Sequence, residues 1–277
     1  VGTREREPSD DDVLVDAAPR PQHLIVTVFG RYGRSRDGLL RVADLITLLG
    51  ALSVDSGAVR SSVSRLKQRG ILVSDRGGPA PAYRLSRSLE TAFEAGDHRI
   101  FEARRAAVDD DWLLASFSVP ERERPLRHRV RTLLRRHGFG HVSGGLWIAT
   151  GIILDEVRAA LERAELSDYV DLFLGRPVGQ LPEAIPRWWD LDELEPLYQS
   201  FLDTFAHLLD DRLGDRESFA AYVSAVTQWR HLVYLDPGIP LELLPSGWSG
   251  VEAEHLFSRL HRTLSGPAER FVASIID

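Results

Sequence analysis

The sequence predicts an α+β multidomain protein: a winged helix-turn-helix, then a ferredoxin-like βαββαβ domain, then an all-α C-terminal domain. Three observations carry this. Residues 53–85 read as a helix, a tight turn, a short strand, a Gly/Pro-rich turn and a second strand. Residues 112–175 alternate four short apolar, strand-like runs with two segments of helical period. From about Pro182 onward the pattern is helical, broken mainly by the proline-punctuated DPGIPLELLPSGW at 236–248.

Each element follows in order. Residues 1–19 carry two basic and six acidic side chains and little to bury, and are expected to be disordered. A first helix is expected over about 21–32 and a second over about 41–49, with Gly50 as its stop. A third starts near Asp55 or Ser56, either of which can cap it, and ends at Gly70. Val59, Val63 and Leu66 recur at helical spacing and mark its inner face. ILVSDRGGPAPAYRL at 71–85 forms a two-stranded wing turning at Gly77, Gly78 and Pro79, and a connector helix is expected over about 86–107.

The middle module is read as a strand at 112–119, a helix at 122–137, a hairpin at 139–150 turning at Gly144–Gly145, a helix at 155–165 and a strand at 169–175. That order is ferredoxin-like. The last module is read as helices at about 190–210, 216–234, 250–264 and 267–275. The domains are accordingly placed at 20–107, 108–176 and 177–277.

The 277 residues suffice for two or three cores. No apolar run approaches the roughly 20 residues of a membrane helix, and the polar start is unlike a signal peptide. Cysteine is absent, which excludes disulfides and thiolate metal sites; a cytoplasmic location is expected. Lys67 is the only lysine. The net charge of −7 hides an asymmetry: residues 20–107 carry +7 and residues 177–277 carry −9. Only the N-terminal part is suited to a polyanion.

The third helix is the candidate reader of DNA. Ser56, Arg60, Ser61, Ser64 and Arg65 would face the major groove, where arginine reads guanine edges and small residues allow close approach. Lys67, Arg76 and Arg84 would lie nearer phosphates. The bland alternative is a solvated polar face.

Three blocks resemble the PaaX-type transcriptional repressors of phenylacetate catabolism: AVRSSVSRLKQRGIL (58–72), RRHGFGHVSGGLWIAT (135–150) and WRHLVYLDPGIPLELLPSGWSG (229–250). The resemblance implies a winged-helix N-domain, a Cas2-like middle domain and a helical C-domain. It further implies a homodimer on double-stranded operator DNA, released by an aryl- or acyl-CoA thioester such as phenylacetyl-CoA. It implies no other cofactor. The chain departs from the family at Ser61 and Ser62, where a small apolar or threonine pair is expected, which implies a different operator.

Trp229, Arg230 and His231 are candidate effector contacts, an indole for an aryl group and cations for a thioester or phosphate; the alternative is that the tryptophan is core. Arg124, Arg127, Arg131 and Arg135 form a stripe at three- and four-residue spacing whose mutual repulsion an anionic partner would relieve. The acidic C-terminal segment, CoA phosphates and flanking DNA are the options, the first slightly favoured. Catalysis finds little support. His255 and His261 are six apart, which does not align two ligands on one helix face, and His137 and His141 flank a Gly-Phe-Gly turn without a nearby carboxylate pair. GFGHVSGG lacks the lysine of a phosphate loop, and the first middle strand ends SFSVP, without the carboxylate that a metal-dependent nuclease needs. A nuclease on the Cas2-like domain and an effector-independent DNA-binding module are the rival readings.

Overall fold

The computed structural model describes residues 20–34, 38–75, 80–87, 90–102 and 105–276. The acidic tail at 1–19 and the wing tip at 76–79, with Arg76, lie outside the described residues. By packing, the chain divides into two compact units: Val1–Ile100 with Ser200–His231 and Ala253–Asp277, and Phe101–Gln199 with Leu232–Glu252.

In the first unit, α1 (Pro21–Val28) starts on a proline, whose fixed φ suits a first turn. It runs directly into a π-helical turn, Phe29–Gly33. α2 (Val42–Gly50) and α3 (Ser56–Gln68) follow. Asp55 caps α3, its carboxylate accepting from Ala58 N at 2.9 Å. The far end closes with Gly70 N donating to Lys67 O and Ile71 N to Leu66 O. That closure needs a left-handed residue, and Gly70 supplies it at φ +69°. Val59, Ser62, Val63 and Leu66 form the buried stripe that seats α3 on α1 and α2.

β2 (Leu72–Asp75) and β3 (Ala82–Leu85) pair antiparallel, Leu72 opposite Leu85 and Asp75 opposite Ala82. A two-residue strand, β1 (Leu40–Arg41), adds to β3 and makes the sheet three-stranded. Two residues, one apolar and one polar, are too few for periodicity to reveal β1. α4 (Glu90–Phe101) is shorter than the connector expected over 86–107. At its start, Ser86 N still pairs with Ile71 O as the hairpin continues. Beyond its end, Ala106 N bonds Gly238 O and Arg105 is drawn into an ion pair. Tertiary partners overrode helical propensity at both ends.

The C-terminal helices contribute to this same unit. Tyr32 packs on Phe219 (centroids 5.8 Å), and Phe219 on Phe271 (5.3 Å). Thr227 Oγ1 donates to Val223 O, so the buried 2.8 Å contact between Thr27 and Thr227 has Thr27 as donor. Arg31 lies over the Tyr222 ring at 5.7 Å, and the Tyr222 hydroxyl shares a 2.7 Å hydrogen bond with His261 Nδ1.

In the second unit, β4 (Trp112–Phe117), α5 (Arg124–Arg136), β5 (Gly140–Ser143), β6 (Leu146–Thr150), α6 (Leu154–Arg163) and β7 (Val170–Gly175) build the βαββαβ order. The sheet runs β5-β6-β4-β7, antiparallel throughout, which is the ferredoxin-like arrangement. Its core joins Leu113, Ala115 and Trp147 to Val130 and Leu134 of α5 and Val157 and Leu161 of α6. The strand expected over 112–119 stops at Phe117. Gly140 has no room for a side chain: a Cβ there would sit 2.6 Å from the Trp189 ring. Trp189 Nε1 donates to Gly138 O in the same corner at 2.8 Å. Of the glycines in RRHGFGHVSGGLWIAT, Gly140 and Gly145 thus serve close packing, a Cβ at Gly145 meeting Phe117 O at 2.4 Å, while Gly138 and Gly144 take a positive φ.

α7 (Leu181–Trp188), α8 (Leu191–Phe205), α9 (Asp215–Leu235) and α10 (Ser249–Ala273) complete the chain. α7 was not expected; prolines 182 and 186 mask its pattern, although the first falls in the opening turn, where proline is tolerated. The helices expected at 250–264 and 267–275 are one continuous α10. Leu260, Leu264, Ala268 and Val272 are all buried at four-residue spacing, so the apolar stripe runs straight through Pro267. Gly266, lacking a side chain, eases the restriction that proline places on its predecessor.

Candidate nucleic-acid interface

α3 presents a polar face opposite its buried stripe. At about 100° per residue, Ser64 falls in the middle of that face, Arg60 and Lys67 on one flank, Ser61 and Arg65 on the other. Ser56, Arg60, Ser61, Ser64, Arg65 and Lys67 are all exposed. The helix contains no acidic residue. Arg65 and Lys67 occupy its last turn, where a cation is favoured by the helix dipole. Arg60 and Lys67 form no ion pair among the described residues. Arg65 instead folds back, Nη2 donating to Ser62 Oγ at 3.2 Å. Of the two serines that depart from the family pattern, Ser62 is fully buried, so only Ser61 reaches solvent.

The hairpin adds a restrained cation. Arg84 on β3 donates to Asp75 Oδ1 at 3.0 Å, a diagonal cross-strand pair. Asp75 was not singled out from sequence, although an acidic residue ending one strand near an arginine on the next is the available signal. Asp75 fixes the direction of Arg84 and offsets its charge, so Arg84 would bring less than a full unit of attraction to a phosphate. Arg76 lies outside the described residues.

The three candidate effector residues are not brought together. Trp229 is only 2% exposed, and its Nε1 donates to Ile100 O at 3.0 Å. Its ring is stacked on Phe257 (4.9 Å, 16°) and packed against Phe201 (5.5 Å). Arg230 is buried and His231 half-buried. Consecutive helical residues point about 100° apart, so the three do not converge on one cavity. None of them lines the open groove of about 480 Å³ between α6 and β7.

The third resemblance block is organised by a buried charge. Asp236 pairs with Arg105 (Nη2 to Oδ2 2.6 Å; Nη1 to Oδ1 3.2 Å) and accepts from Tyr198 at 2.6 Å and Gly238 N at 2.7 Å. Burial works to raise the Asp236 pKa, but Arg105, Tyr198 and Gly238 together hold it below the ordinary carboxylate value. Burial and the adjacent Asp236 push the Tyr198 phenol well up. This cluster pins the DPGIP loop. Among the described residues, no group of three or more His, Asp or Glu side chains is placed to hold a metal ion, and no helix is long and apolar enough to cross a membrane.

A basic, core-anchored helix followed by a β-hairpin, an antiparallel βαββαβ domain and a pinned proline loop define one class of protein. The chain belongs to the PaaX-like family. Residues 20–89 match the family description "PaaX-like protein", residues 105–184 the "PaaX protein central Cas2-like domain" and residues 189–274 the "PaaX-like protein C-terminal domain". The chain is 26% identical over 265 residues to the transcriptional repressor PaaX of Escherichia coli, covering 90% of this chain and 82% of that one. Its fold is similar to that of an uncharacterized protein of Mycobacterium tuberculosis, Rv0674, at TM-score 0.57 and 20% identity, covering 94% of this chain and 99% of the other.

Proposed function

We propose that the chain is a DNA-binding transcriptional repressor, cytoplasmic and homodimeric, without catalytic activity of its own. α2, α3 and the β2–β3 hairpin act as a winged helix-turn-helix. The observation that carries this is α3 itself: an acid-free helix, capped and closed at both ends, whose exposed face around Ser64 holds small hydroxyls, cations, Gly57 and Gln68. Arg60 and Ser61 are assigned to base edges, Arg65 to bases once it swings off Ser62, and Lys67 and Arg84 to phosphates. Release is assigned to an aryl- or acyl-CoA thioester of the phenylacetyl-CoA type, on the strength of the family. The thioester would have to bind the DNA-released state more tightly than the DNA-bound one. The operon governed is one of aromatic or acyl-CoA catabolism.

The test is fluorescence anisotropy of labelled DNA from the upstream region of the chain's own gene, with and without phenylacetyl-CoA, alongside Arg60→Ala. The expected result is selective binding that the thioester releases, with Arg60→Ala losing about 1–3 kcal/mol and relaxing specificity at one position. Absence of selective binding at low salt would sink the reading. Selective binding untouched by phenylacetyl-CoA would move the search to other acyl-CoAs.

A further inference from the structure

α5 is built against its own stability. It places six arginines and no acidic residue in 13 positions. Arg124, Arg127, Arg131 and Arg135 lie on one flank, so neighbouring guanidinium groups repel at three- and four-residue spacing, each contact unfavourable by a few tenths of a kcal/mol. Arg124 also begins the helix, at the positive end of its dipole, with no side-chain cap to offset it. The core face needs none of this: Val130 and Leu134 are buried and Leu126 and Leu133 packed beside them.

Arg124, Arg131 and Arg135 are exposed, and none forms an ion pair among the described residues. Arg135 rests over the Trp147 ring at 5.8 Å, a contact that aims its guanidinium group without cancelling its charge, and Arg127 donates to Val119 O at 3.0 Å. The nearby acid groups are engaged elsewhere. Glu123 takes the Tyr169 hydroxyl and Arg122, and Glu156 faces His137 at 3.7 Å.

We infer that this flank of α5 is a second DNA contact, binding the phosphate backbone of the operator duplex. The stripe extends about 16 Å along the helix axis, and a duplex carries one phosphate charge per about 1.7 Å of its own axis. A row of guanidinium groups along one flank therefore meets several phosphates at once, where a single small anion would meet one or two. The inference rests on the repressor reading above, since it needs DNA as the ligand.

The experiment measures the salt dependence of operator binding for the full chain and for R124Q/R131Q, with R158Q/R163Q as the control that removes two exposed charges from α6 instead. Each lost phosphate contact should lower the slope of log K against log salt by about 0.9. R124Q/R131Q is expected to lower it by about 1.8, so that wild type loses about 12-fold more affinity than the variant between 50 and 200 mM salt. Sequence preference should be unchanged, the control should keep the wild-type slope, and the thermal midpoint of R124Q/R131Q should be no lower than that of wild type. An unchanged slope with intact selective binding would overturn the α5 contact and leave the repressor reading standing. So would an unchanged slope combined with loss of thioester response, which would give the flank to the effector. A failure of all forms to bind DNA selectively would sink the repressor reading, and this inference with it.

Discussion

The two compact units each bury a polar cluster, and the clusters are of opposite kinds. In the unit built around the ferredoxin-like domain it is a charged one: Asp236 held by Arg105, Tyr198 and Gly238 N. In the unit that carries α3 it is neutral at its centre: the Thr27–Thr227 hydroxyl pair and the Tyr222–His261 hydrogen bond, with Arg31 lying over the Tyr222 ring. A buried ion pair tolerates no loss of one partner, whereas hydroxyl contacts exchange modest energies and can be remade. The first cluster suits a fixed brace. The second suits a junction between the N-terminal helices and α9 and α10 whose contacts can be remade without unfolding.

The sharpest way to break this contrast is Asp236→Asn. It removes the carboxylate charge that the buried Arg105 pairs with, and urea denaturation should show a loss of about 3–5 kcal/mol. A loss under about 1 kcal/mol would mean that the pair is solvated and the brace an illusion. Next comes Tyr222→Phe, which removes one hydrogen bond and keeps the ring; the expected loss is about 1 kcal/mol by the same measurement. A loss as large as that of Asp236→Asn would erase the distinction between the two clusters.

The smallest effect is in pH. Burial, and then the Arg31 charge, lower the His261 pKa below its ordinary 6.5. A depressed histidine binds fewer protons folded than unfolded, so its contribution to stability is complete above about pH 6.5 and declines as pH falls below that. Asp236 is also depressed, and its contribution holds above about pH 3.8 and is lost only below it. The two units should therefore weaken in separate windows. Comparing wild type with His261→Gln between pH 7.5 and 5.5 isolates the first: wild type should lose stability that the variant does not. Identical pH profiles would show that His261 is indifferent to folding.

Much of this was legible locally. The period of Val59, Val63 and Leu66, a cap at Asp55 and a stop at Gly70 are enough to place α3, because each signal lies within a turn of the element it controls. The βαββαβ order was readable for the same reason. What was hidden is non-local. Nothing near Thr27 reveals Thr227, two hundred positions away, and nothing in WRHLVYLDPGIP shows that Asp236 waits for Arg105. Trp229 was offered as an effector contact because an indole suits an aryl ring, but its packing against Phe257 and Phe201 depends on helices that period alone cannot bring together. The sequence shows Gly266 and Pro267 between the helices expected at 250–264 and 267–275, but not that the buried stripe of α10 runs past them.

The chain's single lysine has a practical consequence. Lys67 sits exposed near the end of α3, on the flank it shares with Arg60, and there is no cysteine anywhere in the sequence. An amine-directed reagent therefore has one side chain to modify, and that side chain stands on the face assigned to the operator. The protein carries its own chemical reporter: acylation of one ε-amino group reads occupancy of that face directly, and a single introduced thiol elsewhere would give a second, orthogonal label with no native competitor.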